Sequence, residues 1–80
     1  SNDIKNYKIQ VGAFSKLSNA DRFLKDIKNI NSELENLSIE EDYATGLFKV
    51  LSIKHFNKER AKKICKDYKD ININCIISLI

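Results

Sequence analysis

Hydrophobic and polar positions change period along the chain. Tyr7, Ile9 and Val11 alternate with Lys8, Gln10 and Gly12, a period of two that predicts a strand with one buried face. The period then lengthens. Ala20, Phe23, Leu24 and Ile27 recur at intervals of 3, 4 and 7 residues as one apolar stripe of a helix, with Ser18 as its cap and Asp21 approximating a capping box. Leu37 to Tyr43 is strand-like again, and its Glu40, Glu41 and Asp42 suit a sheet edge that must not recruit a neighbouring molecule. Thr45-Gly46 predicts a turn into a strand from Leu47 to Ile53. Asn57 caps a second helix with the stripe Ala61, Ile64, Cys65 and Tyr68, and Ile73 to Ile80 forms the last strand.

These elements are one unit written twice. At an offset of 41 residues, Tyr7-Lys8-Ile9 falls on Phe48-Lys49-Val50, Ala20 on Ala61, Phe23-Leu24 on Ile64-Cys65, and Ile30-Asn31 on Ile71-Asn72. Each half reads strand, helix, strand. The predicted class is therefore α+β with the order βαββαβ, a ferredoxin-like or RNP-like arrangement. Right-handed crossovers give a four-stranded antiparallel-type sheet with both helices packed on one face. The expected organisation is a single domain over residues 1–80, with 7–79 forming the two βαβ repeats. Residues 1–6 are read as tag remnant and linker, Ser1-Asn2 resembling a cloning scar, so the chain is expected to be a module excised from a larger protein.

Parity assigns the faces. If Tyr7, Ile9, Val11, Phe48, Val50, Ile73, Cys75 and Ile77 meet the helices, then Lys8, Gln10, Leu47, Lys49, Leu51, Asn74 and Ile76 project from the bare side. An idle sheet surface would carry mainly Thr, Lys and Glu. Here Leu47, Leu51 and Ile76 form an apolar floor beside Gln10, Lys8 and Lys49, which suits a ligand with both apolar faces and hydrogen-bonding edges.

Composition narrows the function classes. Ordering 80 residues costs roughly 1.5 kcal/mol each, so nearly every apolar side chain is needed for the core and no large catalytic pocket can be hollowed out. A net charge of +3 is too small to dictate a polyanionic partner. The lysines on the helix backs read as solvated faces, with contact to an anionic envelope polymer as the alternative. One His and two Cys supply no recognised zinc spacing, and no metal or cofactor is expected. His55 lies in a turn, while Cys65 and Cys75 fall on core faces as packing thiols, so the module is not expected to be an enzyme. A helix-to-strand bridge between the two cysteines remains open.

The run Tyr7-Lys8-Ile9-Gln10-Val11-Gly12-Ala13-Phe14-Ser15, followed by Asn19-Ala20 and the helix stripe, resembles the opening strand and helix of the SPOR domains of bacterial envelope proteins. Gly46, Lys49-Val50 and Asn74-Cys75-Ile76 are similar to that family's second repeat. The resemblance implies a noncatalytic module that binds peptidoglycan glycan strands lacking stem peptides. Such a module would target its parent protein, which could itself carry a wall hydrolase domain, to division septa or to sites of wall hydrolysis or sporulation. It further implies an extracytoplasmic location in the cell envelope. A monomer is expected, and no membrane insertion by the module itself, since no apolar run approaches the roughly 20 residues of a membrane span. Gln10 matches the family's glycan-contacting Gln. Ala13 stands where many members have Ser, Leu47 where some carry an aromatic platform, Lys49 where they carry Arg, and Ile76 at an apolar contact. Lys8 and Leu51 complete the expected site. Two departures stand out: Ser52-Ile53-Lys54-His55-Phe56 replaces the family's usual turn, and Val11 occupies the place of a cysteine that some members pair with the position of Cys75.

Two other readings use the same architecture. An RNA-recognition module would need outward aromatics on the first and third strands, where this chain has Lys8, Gln10, Leu47 and Lys49, so no nucleic-acid partner is expected. A protein-docking or small-molecule regulatory domain is the other.

Overall fold

The computed structural model describes residues 6–30 and 36–79. The element order is β1 (Tyr7–Phe14), α1 (Leu17–Ile30), β2 (Leu37–Asp42), β3 (Leu47–Ser52), α2 (Lys58–Asp70) and β4 (Ile76–Leu79). The strands form one antiparallel sheet in the order β2-β3-β1-β4, so each half-repeat contributes one central strand and one edge strand. Gln10 pairs with Leu51, its own counterpart in the repeat, and this pair therefore marks the approximate two-fold centre of the sheet. The acidic strand β2 is at an edge, where its charges oppose pairing with another chain.

One core lies between the sheet and the two helices. Ile9, Val11 and Val50 from the central strands join Ala20 and Ile27 of α1 with Ala61, Ile64 and Tyr68 of α2, and Leu37 and Phe56 close its rim. Both helical stripes are spent here, which leaves the opposite face of the sheet without a covering element among the described residues.

A bulge corrects the strict alternation of β1. Gln10 pairs with Leu51 but Gly12 pairs with Val50, so Val11 is the extra residue and parity inverts after it. Ala13 therefore turns to the bare face opposite Lys49, and Phe14 turns inward opposite Phe48. Gly12 permits this crossing because a Cβ there would stand 2.9 Å from the Phe14 ring and 3.1 Å from that of Phe23. Those two rings pack with centroids 5.1 Å apart.

The helix ends illustrate local control. Asn57 caps α2 as expected, its Oδ1 accepting from the Arg60 N–H at 2.7 Å. Ser18 does not cap α1. That helix starts at Leu17, and the Lys16 carbonyl accepts from the N–H groups of Asn19 and Ala20, because the short connection from β1 leaves only Ser15 and Lys16 before the first turn. At the end of α2 the Ile73 N–H returns to the Tyr68 carbonyl and the Asn72 N–H to that of Lys69, with Asn72 at φ 64°. This left-handed closure is usually made by Gly, and Asn is the side chain that best tolerates it.

The strand limits also differ from expectation. β2 stops at Asp42 and Tyr43 enters the turn; β3 stops at Ser52 and Ile53 is exposed; β4 begins only at Ile76. Ile73 and Cys75 are nevertheless buried, because a bridge between Cys65 and Cys75, with Cα atoms 5.2 Å apart, ties this segment to α2. The cysteines are thus a disulfide and not free packing thiols. The tag assignment at Ser1-Asn2 and the terminal Ile80 lie outside the described residues.

The unusual segment after β3 is stitched by hydrogen bonds. The buried Ser52 hydroxyl accepts from the Ile9 N–H at 3.1 Å and donates to the Lys54 carbonyl at 3.0 Å. Phe56 then pairs with Tyr7 through two backbone bonds of 3.0 and 2.7 Å. Ser52-Ile53-Lys54-His55-Phe56 is therefore an ordered return to β1.

Candidate functional site

The bare face is built in rows across the sheet. Its central row is Ser38, Leu51, Gln10 and Ile76 on successive strands, and the adjoining row places Glu40, Lys49 and Ala13 side by side. Lys8 lies opposite Ser78, and Leu47 opposite Asp42. All seven residues expected at the site from sequence thus share this face, including Ala13, which the bulge delivers. Gln10, Leu47 and Leu51 are half-buried, Ala13 is exposed, and Ile76 is 57% exposed at the start of edge strand β4. Asn74 is exposed but precedes β4.

Edge protection is the role that the sequence favours for the acidic residues of β2, over acid-base work or a cation. The register gives two of them a further part: the Lys49 Nζ meets Asp42 Oδ2 at 2.8 Å, and the Lys8 Nζ reaches across β3 to Glu40 Oε2 at 4.0 Å. The two lysines are 26% and 31% exposed along their side chains, so their stems lie along the sheet while their charged ends are held toward β2. The face is in this way charge-balanced. The alternation of the acids, Glu40 and Asp42 outward with Glu41 opposite the inward Phe48, was the signal that could have revealed these pairs.

Asp42 also organises the β2–β3 turn. Its Oδ1 accepts from the Ala44 N–H at 3.0 Å, and its backbone carbonyl accepts from the Gly46 N–H at 2.7 Å. Gly46 has φ 73°, which glycine adopts without steric cost. The hydrogen bond from Lys49 is the main cause that holds the Asp42 carboxyl below its ordinary 3.8, with the Ala44 N–H and the Thr45 side chain adding to it. Asp42 thus stays ionised across the neutral range. Any stabilisation it gives is present above the unfolded-state pKa and is lost as pH falls through the lowered value.

The turn raises Tyr43 to 87% exposure at the tip of the β2–β3 hairpin, beside a groove of about 390 Å³ that Lys49 and Leu51 also line. Tyr43 thus lies in the turn and not at the end of the strand Leu37 to Tyr43 that the sequence pattern predicts. His55 is exposed, and with Cys65 and Cys75 bridged it has no thiol partner for nucleophilic chemistry among the described residues.

Comparisons with known proteins follow the same lines. Among solved structures, the solution structure of the peptidoglycan binding domain of the B. subtilis cell wall lytic enzyme CwlC is similar, with a TM-score of 0.75 and 22% identity, covering 100% of this chain and 95% of that one. At that identity the likeness speaks for the fold. Comparison with curated proteins finds no significant match. The family model described as the SPOR domain matches residues 3–78, nearly the whole chain. On that match, with which the two strand-helix-strand halves agree, this chain belongs to the SPOR domain family.

Proposed function

We propose that this domain is a noncatalytic peptidoglycan-binding module of the cell envelope, and that its ligand is the glycan strand from which stem peptides have been removed. The observation that carries the reading is the uncovered sheet face, where Gln10 stands between Leu51 and Ile76 with Lys8 and Lys49 beside it. Membership of the SPOR family and the peptidoglycan-binding neighbour support it.

The chemistry matches such a strand. Leu47, Leu51 and Ile76 cover the C–H faces of sugars, and the Gln10 carboxamide donates and accepts at hydroxyl or acetamido groups. Removing a stem peptide leaves a lactyl carboxylate on the muramic acid, which Lys8 or Lys49 meets after release from its β2 partner. Each hydrogen bond contributes only about 0.5–1.5 kcal/mol net, so several sugars must be engaged together. Leu47 in place of an aromatic, and Lys49 in place of Arg, give up stacking and bidentate geometry, and affinity is correspondingly modest. The domain acts as a monomer that directs its parent protein to septa or to sites of wall turnover, outside the cytoplasm. A disulfide between Cys65 and Cys75 fits that oxidising compartment.

Pull-down with purified cell-wall sacculi tests the reading. Amidase-treated sacculi are expected to retain the domain and untreated sacculi to leave it in solution; equal recovery from both would overturn the preference for peptide-free strands. Gln10→Ala and Lys49→Ala should each lower retention several-fold with an unchanged circular dichroism spectrum, since neither side chain belongs to the core.

The ion pairs add a separate expectation. Glu40→Gln, or Asp42→Asn, which keeps an acceptor for the Ala44 N–H, releases a lysine from internal competition. Retention on treated sacculi should rise about two- to fivefold, and it should become more sensitive to salt because an unpaired cation now faces the ligand carboxylate. Binding that falls in both variants, with salt dependence unaltered, would show that the acids contact the ligand directly.

A further inference from the structure

β4 pairs with β1 only along Tyr7–Gln10, so among the described residues no strand lies beside the stretch of β1 from Gly12 to Phe14 on that side. The chain between the end of α2 and β4 stands off instead, and a groove of about 400 Å³ opens between the two segments. This volume is within the ordinary range of small-ligand sites. The groove is continuous with the bare face, since Gln10 and Ile76 line both.

Its composition is unlike the rest of the molecule. Charged residues make up 31% of the chain, yet none of the described residues that line this groove is charged. Its polar side chains are the carboxamides of Gln10, Asn72 and Asn74, and the rings of Phe14 and Phe23 supply apolar wall. None of the three carboxamides hydrogen-bonds to another described residue, so their donors and acceptors are unspent. The backbone that carries two of them is held in place, while both side chains are exposed. Asn72 is pinned by the left-handed closure of α2, and Asn74 is flanked by the buried Ile73 and the bridged Cys75. Such anchoring lowers the ordering cost of binding.

We propose that this groove is a subsite for the acetamido group of an N-acetylated amino sugar in the strand that crosses the sheet, an inference that rests on the glycan-binding reading above. An acetamido group carries one N–H donor, one C=O acceptor and a methyl group. Carboxamides beside phenyl rings match all three, since each amide can both donate and accept. A carboxylate or phosphate would find no cation in the groove. A peptide adding as a strand would find an open edge only as long as Gly12–Phe14, bounded by the bulge. The domain therefore reads the N-acetylation state of the wall, and a strand bearing free amines is a poor ligand.

NMR titration of the full chain with amidase-denuded strand fragments tests this in three forms: N-acetylated, chemically de-N-acetylated, and re-N-acetylated. With the acetylated form, the side-chain NH₂ signals of Asn72 and Asn74 should shift together with the backbone signals of Gln10 and Leu51. De-N-acetylation should weaken binding on the order of tenfold and silence the two Asn signals, and re-acetylation should restore both. Asn72→Gly, which keeps the left-handed backbone, combined with Asn74→Ala should bind both forms about equally. If Gln10 and Leu51 respond alike to acetylated and de-acetylated strands while the carboxamides stay silent, the subsite is wrong and the glycan-binding face stands. If no form moves Gln10 or Leu51, the glycan reading falls, and the subsite falls with it.

Discussion

Reduction of the Cys65–Cys75 bridge should lower the unfolding free energy by about 2.5–3 kcal/mol, the chain-entropy value for a crosslink across 10 positions. For a domain of 80 residues this corresponds to a fall in melting temperature of roughly 10–20 °C. The bridge closes a short loop, so its entropic effect is near the lower end for disulfides. Its position gives it a second effect, because it fastens the segment between α2 and β4, where only Ile76–Leu79 is held by strand pairing. Thermal melts with and without reductant, compared with a Cys65→Ala/Cys75→Ala variant, measure the expected loss. A reduced protein that melts within about 3 °C of the oxidised one would show that the bridge adds little to a segment already fixed by Ile73 and the closure of α2. Reduced protein that is still folded should also bind less wall glycan, since Asn74 and Ile76 flank the bridged Cys75 on either side.

The Ser52 hydroxyl is the other sensitive point. It is fully buried, accepts from the Ile9 N–H of central strand β1, and donates to the Lys54 carbonyl. Ser52→Ala removes the acceptor while the Ile9 residue stays buried, so the orphaned N–H pays its full desolvation penalty, about 1–3 kcal/mol. Denaturant unfolding should show that loss in the midpoint, and hydrogen exchange should show the Ile9 amide as the most deprotected site. An unchanged midpoint with Ile9 still protected would mean that another acceptor replaces Ser52.

Both features bear on how the site is displayed. Ser52 secures the junction of β1 and β3 directly behind Gln10 and Leu51, and the disulfide secures the segment that leads into Ile76. The residues that would contact ligand are therefore carried on backbone that the core and these two ties hold in place, as a preorganised site requires.

Much of this was legible in the linear pattern. Alternation at Tyr7, Ile9 and Val11, the stripes of Ala20–Ile27 and Ala61–Tyr68, the cap at Asn57 and the turn at Gly46 are all local signals, and each appears where the pattern put it. The face carrying Lys8, Gln10, Lys49 and Leu51 followed from parity. Parity failed at Val11, because whether a residue is the extra one in a bulge depends on its pairing with β3 and leaves no mark in the alternation itself. A plain strand would have sent Ala13 inward and Phe14 outward. Ser18 misled because its type suits a cap and only the length of the β1–α1 connection excludes it. The pairs Lys8–Glu40 and Lys49–Asp42 depend on the register of strands far apart in the chain, and so does the groove beside Gly12.

By itself, then, the order of residues determined the βαββαβ plan, its doubling at 41 residues and which side of the sheet would be open, since these depend on periods of two and 3.6 within short windows. Tertiary structure alone decided the bulge that brings out Ala13, the pairing of lysines with the acidic edge, the joining of Cys65 to Cys75 and the uncharged groove at the end of β4. Each is a meeting of distant segments, and cross-strand register is chosen by the packing of the whole core and not by any stretch within it.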